Sequence, residues 1–121
     1  MKEKSKYILR NQKDFVRVYN RGKSKGSRYT VILYRKNNLG FTRIAFVSSK
    51  KVGNSVKRNR ARRLMRESYR SFSDSLLSGY DIIFVARNTI NECKEQDVHK
   101  SILKAVRSCG LIQDKTSGTE K

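Results

Sequence analysis

The sequence predicts an α+β fold, a single-domain α-β sandwich in which helices pack on a small sheet in the order α-β-β-α-β-α. Three observations lead there. Two β-branched and aromatic runs, YTVILY (29–34) and RIAFVS (43–48), flank a turn-rich segment. A nearly continuous apolar run, DIIFVA (81–86), has the length and composition of a buried strand. Segments with helical apolar spacing stand before, between and after these runs. At 121 residues the chain suits one modest core. It is therefore read as one domain over 1–121, with flexible tails expected at 1–10 and 111–121.

Each element has its own local reason. Asn11 suits an N-cap, and Asp14, three residues on, favours the positive end of a helix dipole. Phe15, Val16, Val18 and Tyr19 give that helix its apolar substance, and Gly22 suits its stop. KSKGSR (23–28) reads as a loop. Asn37-Asn38-Leu39-Gly40 supplies turn chemistry, so the runs at 29–34 and 43–48 are expected to form an antiparallel hairpin. Gly53-Asn54 breaks the chain before a helix over about 55–73. A last helix, 95–108, places Val98, Ile102, Ala105, Val106 and Cys109 at helical spacing.

Charge says more about partners than about fold. The chain carries 29 Lys+Arg against 10 Asp+Glu, a formal net of +19. Residues 71–121 are balanced, so 22 basic and three acidic residues in 1–70 hold the whole excess. A field of that size points to a polyanion. Residues 48–70, SSKKVGNSVKRNRARRLMRESYR, concentrate nine cations around one acid, Glu67.

On a helical wheel Ala61, Leu64, Met65, Ser68 and Phe72 share one narrow sector, the face for packing on the sheet. Arg60, Arg62, Arg63, Arg66 and Arg70 lie opposite, with Asn59. A solvated helix face normally mixes signs and uses opposite charges four residues apart. Here the neighbours are mostly alike, and Lys57 and Arg58 even sit in the first turn, where the dipole disfavours cations. Such consistent rule-breaking marks function. Arginine's planar fork suits phosphate, whereas a membrane-surface helix needs a broad apolar face. No segment reaches the ~20 apolar residues of a membrane span or forms a signal peptide, so a cytoplasmic, non-membrane protein is expected.

The run SSKKVGNSVKRNRARRLMRE (48–67), with Arg58-Asn59-Arg60 at its centre, resembles the signature of the protein subunit of bacterial ribonuclease P. The resemblance extends over roughly 8–108. It takes in a DFxxVYxxG-like segment from Asp14 to Gly22 and the late strand ending in Ala86-Arg87. It implies a ribosomal protein S5 domain 2-like sandwich with a left-handed βαβ crossover. It also implies an accessory subunit, in a 1:1 complex with ribonuclease P RNA. That RNA, using magnesium, removes the 5′ leader from precursor tRNA.

Carried over by matching position, RNA-subunit binding falls to Lys50, Lys51 and Asn54 in the loop. On the helix it falls to Arg58, Asn59, Arg60, Arg62, Arg63 and Arg66. The family's leader cleft, between the first helix and the sheet, takes Phe15 and Tyr19. A strand tyrosine belongs there too; the loop at 23–28 leaves Tyr29 and Tyr34 as candidates, with Tyr34 preferred. Stacking on unpaired bases suits a leader of varying sequence.

The residues themselves offer no catalytic group. One histidine, His99, gives no acid-base pair. The acids of the second half are spaced as caps and solvated faces, not as converging metal ligands. Cys93 and Cys109, without a CxxC, suggest free thiols rather than zinc ligation. No catalytic or metal site is therefore expected in the protein. A ribosomal or structural RNA-binding protein would explain the charge equally well. A DNA-binding regulator would need more base-reading residues than this helix carries.

Overall fold

The apolar run near residue 81 lies at the centre of the sheet. In a computed structural model, which describes residues 7–113, a helix α1 (Gln12–Arg21) precedes three strands. These are β1 (Lys23–Gly26), β2 (Thr30–Lys36) and β3 (Arg43–Val47). Then come α2 (Ser55–Phe72), β4 (Tyr80–Ala86) and α3 (Glu95–Ser108), with short 3₁₀ turns at 73–75 and 88–92. The strand order is β1-β2-β4-β3. β4 pairs antiparallel with β2 and parallel with β3.

Two expectations need correction. The runs at 29–34 and 43–48 do not form a hairpin with each other. β4 is inserted between them because Ile82, Ile83 and Phe84 are fully buried, which requires cover on both faces and a partner on both edges. The turn residues instead carry the chain around the start of β4. There Asn37 N–H donates to Gly79 O (2.8 Å), and Tyr80 N–H donates to Thr42 Oγ1 (3.1 Å).

The second correction concerns KSKGSR. Lys23–Gly26 is a strand, paired antiparallel with β2 from Lys23↔Tyr34 to Gly26↔Val31. All four of its residues are exposed, so no alternation of apolar side chains announces it. Lysines on such an edge also discourage pairing with a further chain. The observed order is thus α-β-β-β-α-β-α.

Asn11 caps α1 as the sequence suggests, and Asn54 does the same for α2. Asn11 Oδ1 accepts from Lys13 N–H, and Asn54 Oδ1 from Lys57 N–H (3.0 Å). The buried residues of α2 are Ala61, Leu64, Met65, Ser68 and Phe72, the sector expected to pack. With α3 they cover the sheet face that carries Ile32, Ile44, Ile82 and Phe84. α1 covers part of the other face, where Leu9, Val18, Ala45 and Ile83 form a smaller core. At the end of α1, Gly22 passes so close to β2 that a Cβ would stand 2.5 Å from Val18 O and 2.7 Å from Tyr34 O.

Of the tails, residues 1–6 and 114–121 lie outside the described residues. The inner parts are tied down: Leu9 is buried, its N–H donating to Ile44 O (2.7 Å), and buried Leu111 accepts from Leu77 N–H (2.8 Å).

Candidate nucleic-acid interface

Strand register arranges the α1 face of the sheet in three transverse rows. Val31, Val85 and Val47 form one end row, Leu33, Ile83 and Ala45 the middle, and Arg35, Asp81 and Arg43 the other end. α1 is anchored over the polar end: Asp14, in its first turn, accepts from Arg43 Nη1 at 3.1 Å. Arg43 also donates Nε and Nη2 to the Asp81 carboxylate, at 2.8 and 2.7 Å. That carboxylate holds Arg43 firmly protonated, its pKa raised further by the hydrogen bond. α1 leaves the three-valine row only half-buried. An apolar floor thus lies open beside the helix.

The α1 wall of this floor carries Phe15 and Tyr19. Phe15 is half-buried against the smaller core, and Tyr19 is 50% exposed. Burial of part of its ring pushes the Tyr19 phenol up. A cavity of about 230 Å³ between α1 and the edge strand β3 is lined by Phe15, Ile8, Phe46 and, from α2, Arg66. The Arg66 guanidinium stands over the Phe46 ring, 5.5 Å from its centre. The aromatic wall and the arginine helix therefore meet in one concavity.

Neither candidate tyrosine does. Tyr34 pairs in register with Ile82, on the face covered by α2 and α3, and packs near Tyr80 with ring centres 6.4 Å apart. Tyr29 also packs with that larger core. The strand residues that pack with Phe15 against the smaller core are Leu33, Val47 and Val85. Parity along a strand separates position 33 from 34, and the face that each takes is set by pairing partners far away in sequence.

The basic loop grows from the end of β3 next to the valine row. Val52, 3% exposed, anchors a turn in which Gly53 N–H donates to Lys50 O (3.1 Å), leaving Lys50 and Lys51 exposed. Gly53 has φ +141°, a conformation that glycine adopts without strain. From there α2 sends its cations to different tasks. Arg62 donates to Asn59 Oδ1, and Arg58 to Gly53 O (3.1 Å). Arg63 lies 3.6 Å from Glu67 and 3.4 Å from Glu95.

Arg60 is directed inward: it donates to Ile90 O (3.2 Å) and Cys93 O (3.0 Å), clamping the 88–93 segment to α2. Charged hydrogen bonds of this kind are each worth about 1.5–3 kcal/mol. Arg60→Ala is expected to lower unfolding free energy by about that much, read as an earlier urea midpoint. An unchanged midpoint would return Arg60 to the outward-facing set.

His99 accepts or donates at 2.8 Å with the buried Ser68 hydroxyl and has no carboxylate partner there, so it ties α3 to α2. Cys93 and Cys109 are free, half-buried thiols, both pushed up by burial. Among the described residues no group of three or more His, Cys, Asp or Glu could hold a metal ion, and no helix is long and apolar enough to cross a membrane.

Comparison with known proteins agrees with this architecture. A sequence model described as Ribonuclease P matches residues 4–110. The ribonuclease P protein component of Alkaliphilus oremlandii is 41% identical over 104 residues, covering 86% of this chain and 91% of that one. That of Pelotomaculum thermopropionicum is 43% identical over 100 residues, covering 83% and 89%. Among solved structures, a mutant RNase P protein of Staphylococcus aureus superposes with a TM-score of 0.84 at 27% identity, over 89% of this chain and 92% of that one. The RNase P protein of Thermotoga maritima gives 0.72 at 29% identity, over 80% and 92%. A sheet with an arginine helix on one face and an aromatic wall on the other, matched over nearly its whole length, places this chain in the ribonuclease P protein component family.

Proposed function

We propose that the chain is the protein subunit of a cytoplasmic ribonuclease P ribonucleoprotein, binding ribonuclease P RNA one to one and assisting removal of the 5′ leader from precursor tRNA. The observation that carries this reading is the shared concavity of Phe15 and Arg66. The loop and outer arginines of α2 dock on the RNA subunit. The floor of Val31, Leu33, Val47 and Val85, walled by Phe15 and Tyr19, takes the unpaired leader. One strand can thus pass from stacking contacts to phosphate contacts without leaving the protein.

The cleavage chemistry is assigned to the RNA. Four of the carboxylates are engaged by arginine, Asp14 and Asp81 by Arg43, and Glu67 and Glu95 by Arg63, and the described acids do not gather into a group of three that would suit magnesium. The protein contributes position and charge neutralisation where two RNAs crowd their phosphates.

The test is precursor-tRNA cleavage by a bacterial ribonuclease P RNA at low magnesium, with and without the protein. Tyr19→Ala, at an exposed position, is expected to weaken binding of leader-bearing substrate about 5- to 150-fold, the range for removing one stacked ring. Binding of leaderless tRNA should be unchanged. Equal stimulation with both substrates would leave a general RNA-structural protein as the better reading.

A further inference from the structure

The other face of the sheet carries a second groove. β1 extends the sheet beyond the cover of α3, and a cavity of about 560 Å³ opens between them. Lys25 and Arg28 line it from the sheet side, Lys100 and Lys104 from α3, against one acid, Asp97. Tyr29 forms part of its wall, with the Arg28 guanidinium 5.7 Å from the ring centre.

The groove has a continuation. Lys23 pairs with Tyr34 and Lys25 with Ile32, so both lysines project on the α3 side of the sheet. Lys23, Tyr34 and Tyr80 line a neighbouring cavity of about 250 Å³. The lysines of β1 therefore stand beside phenol rings carried by the neighbouring chain, Tyr29 before β2, Tyr34 in β2 and Tyr80 in β4. From Tyr29, just before β2, to Tyr34 the extended chain spans about 17 Å, roughly five nucleotides at the ~3.4 Å stacked rise.

Its walls are built. Arg87 Nη1 donates to Ser27 O (2.8 Å) and Thr89 Oγ1 to Arg28 O (2.6 Å), stitching the β1–β2 turn to the segment after β4. None of the groove's four lysines, Lys23, Lys25, Lys100 and Lys104, is in an ion pair among the described residues. That leaves Lys100 and Lys104, one helical turn apart, unneutralised on the rim.

We infer that this groove is a second binding site for single-stranded RNA, on the face opposite the α1 wall, with phosphates on the lysines and bases stacked on Tyr29, Tyr34 and Tyr80. A cationic track with interleaved aromatic rings is the physical recipe for an unpaired strand of any sequence. Duplex would offer no free base faces to the rings. An acidic peptide would satisfy the lysines and leave the rings unused.

The experiment uses the full chain and a photoactivatable 4-thiouridine oligonucleotide of about 12 residues, a length within the reach of single-strand sites. Crosslinks are expected in peptides carrying Tyr29 or Lys100–Lys104 as well as in α1. Lys100→Glu with Lys104→Glu should lower affinity at least fivefold, beyond the loss from a charge-matched pair outside the groove, Lys13→Glu with Lys94→Glu. Circular dichroism would check that both pairs fold.

Crosslinks confined to α1 and α2, with equal losses from both pairs, would overturn the site. So would equally tight binding of an oligoglutamate of matched charge. The leader-dependence of precursor-tRNA cleavage tests the ribonuclease P reading separately, since these lysines lie outside the surfaces assigned to it.

Discussion

Arg43→Met lowers the stability of the protein by about 3–5 kcal/mol, the cost of leaving one partner of a buried ion pair alone. Asp81 is 4% exposed and sits in the central strand. Its carboxylate accepts from Arg43 Nε and Nη2 at 2.8 and 2.7 Å, and from Asn37 Nδ2 at 2.9 Å. Methionine fills much of the same volume but strands that charge with one neutral donor. It also frees Asp14 from β3, leaving it only Arg17 at 2.9 Å. The start of α1 then loses its anchor, and the wall of Phe15 and Tyr19 loses its fixed place beside the sheet. Adding Asp81→Leu should restore most of the lost stability, because an apolar pair can replace a buried ion pair at little cost. Urea unfolding of the single and double variants decides the matter. A single-variant loss below about 1 kcal/mol would place the pair in the class of solvent-screened contacts.

The second large effect is on RNA affinity. Replacing Lys50, Lys51, Arg62 and Arg66 together by Gln should weaken binding to ribonuclease P RNA roughly 10²–10³-fold at 0.1 M salt, through lost counterion release. The slope of log K against log salt should fall by about three to four, close to 0.9 for each phosphate no longer neutralised. Arg63→Gln should change the slope by much less than one such step. Its guanidinium is already shared between Glu67 and Glu95, at 3.6 and 3.4 Å. Affinity titrations at several salt concentrations separate these outcomes. Equal slopes for Arg63→Gln and the fourfold variant would show that the surface is read as a uniform charge rather than through particular side chains.

Local features were legible in the sequence and long-range ones were not. The packing face of α2 follows from 3.6-residue spacing alone, and the Asn11 cap is a contact two residues long. The fully buried character of residues 82–84 was equally plain. Where that strand would sit was not, since pairing with both β2 and β3 is a choice made across more than 30 residues. Lys23–Gly26 escaped because backbone pairing alone makes it a strand. The face taken by Tyr34 was hidden for the same reason: a one-residue parity decides whether Leu33 or Tyr34 stands on the α1 side of the sheet. Arg60 looked like its neighbours, and only the backbone of Ile90 and Cys93 distinguishes it.

The central place of β4 also bears on how the chain reaches its fold. Neither β2 nor β3 has the other as a partner, so neither gains its main ladder until residues 80–86 arrive. Pairings this distant in sequence are late events in folding, because a long loop must close before they contribute. During synthesis, the first 70 residues, with all of the excess positive charge, emerge before the strand that organises them. Through that interval the chain is a loose polycation, and any RNA within reach can hold it by charge alone. The geometry of the basic surface is set only when Tyr80–Ala86, a strand without a single cation, slots between its neighbours.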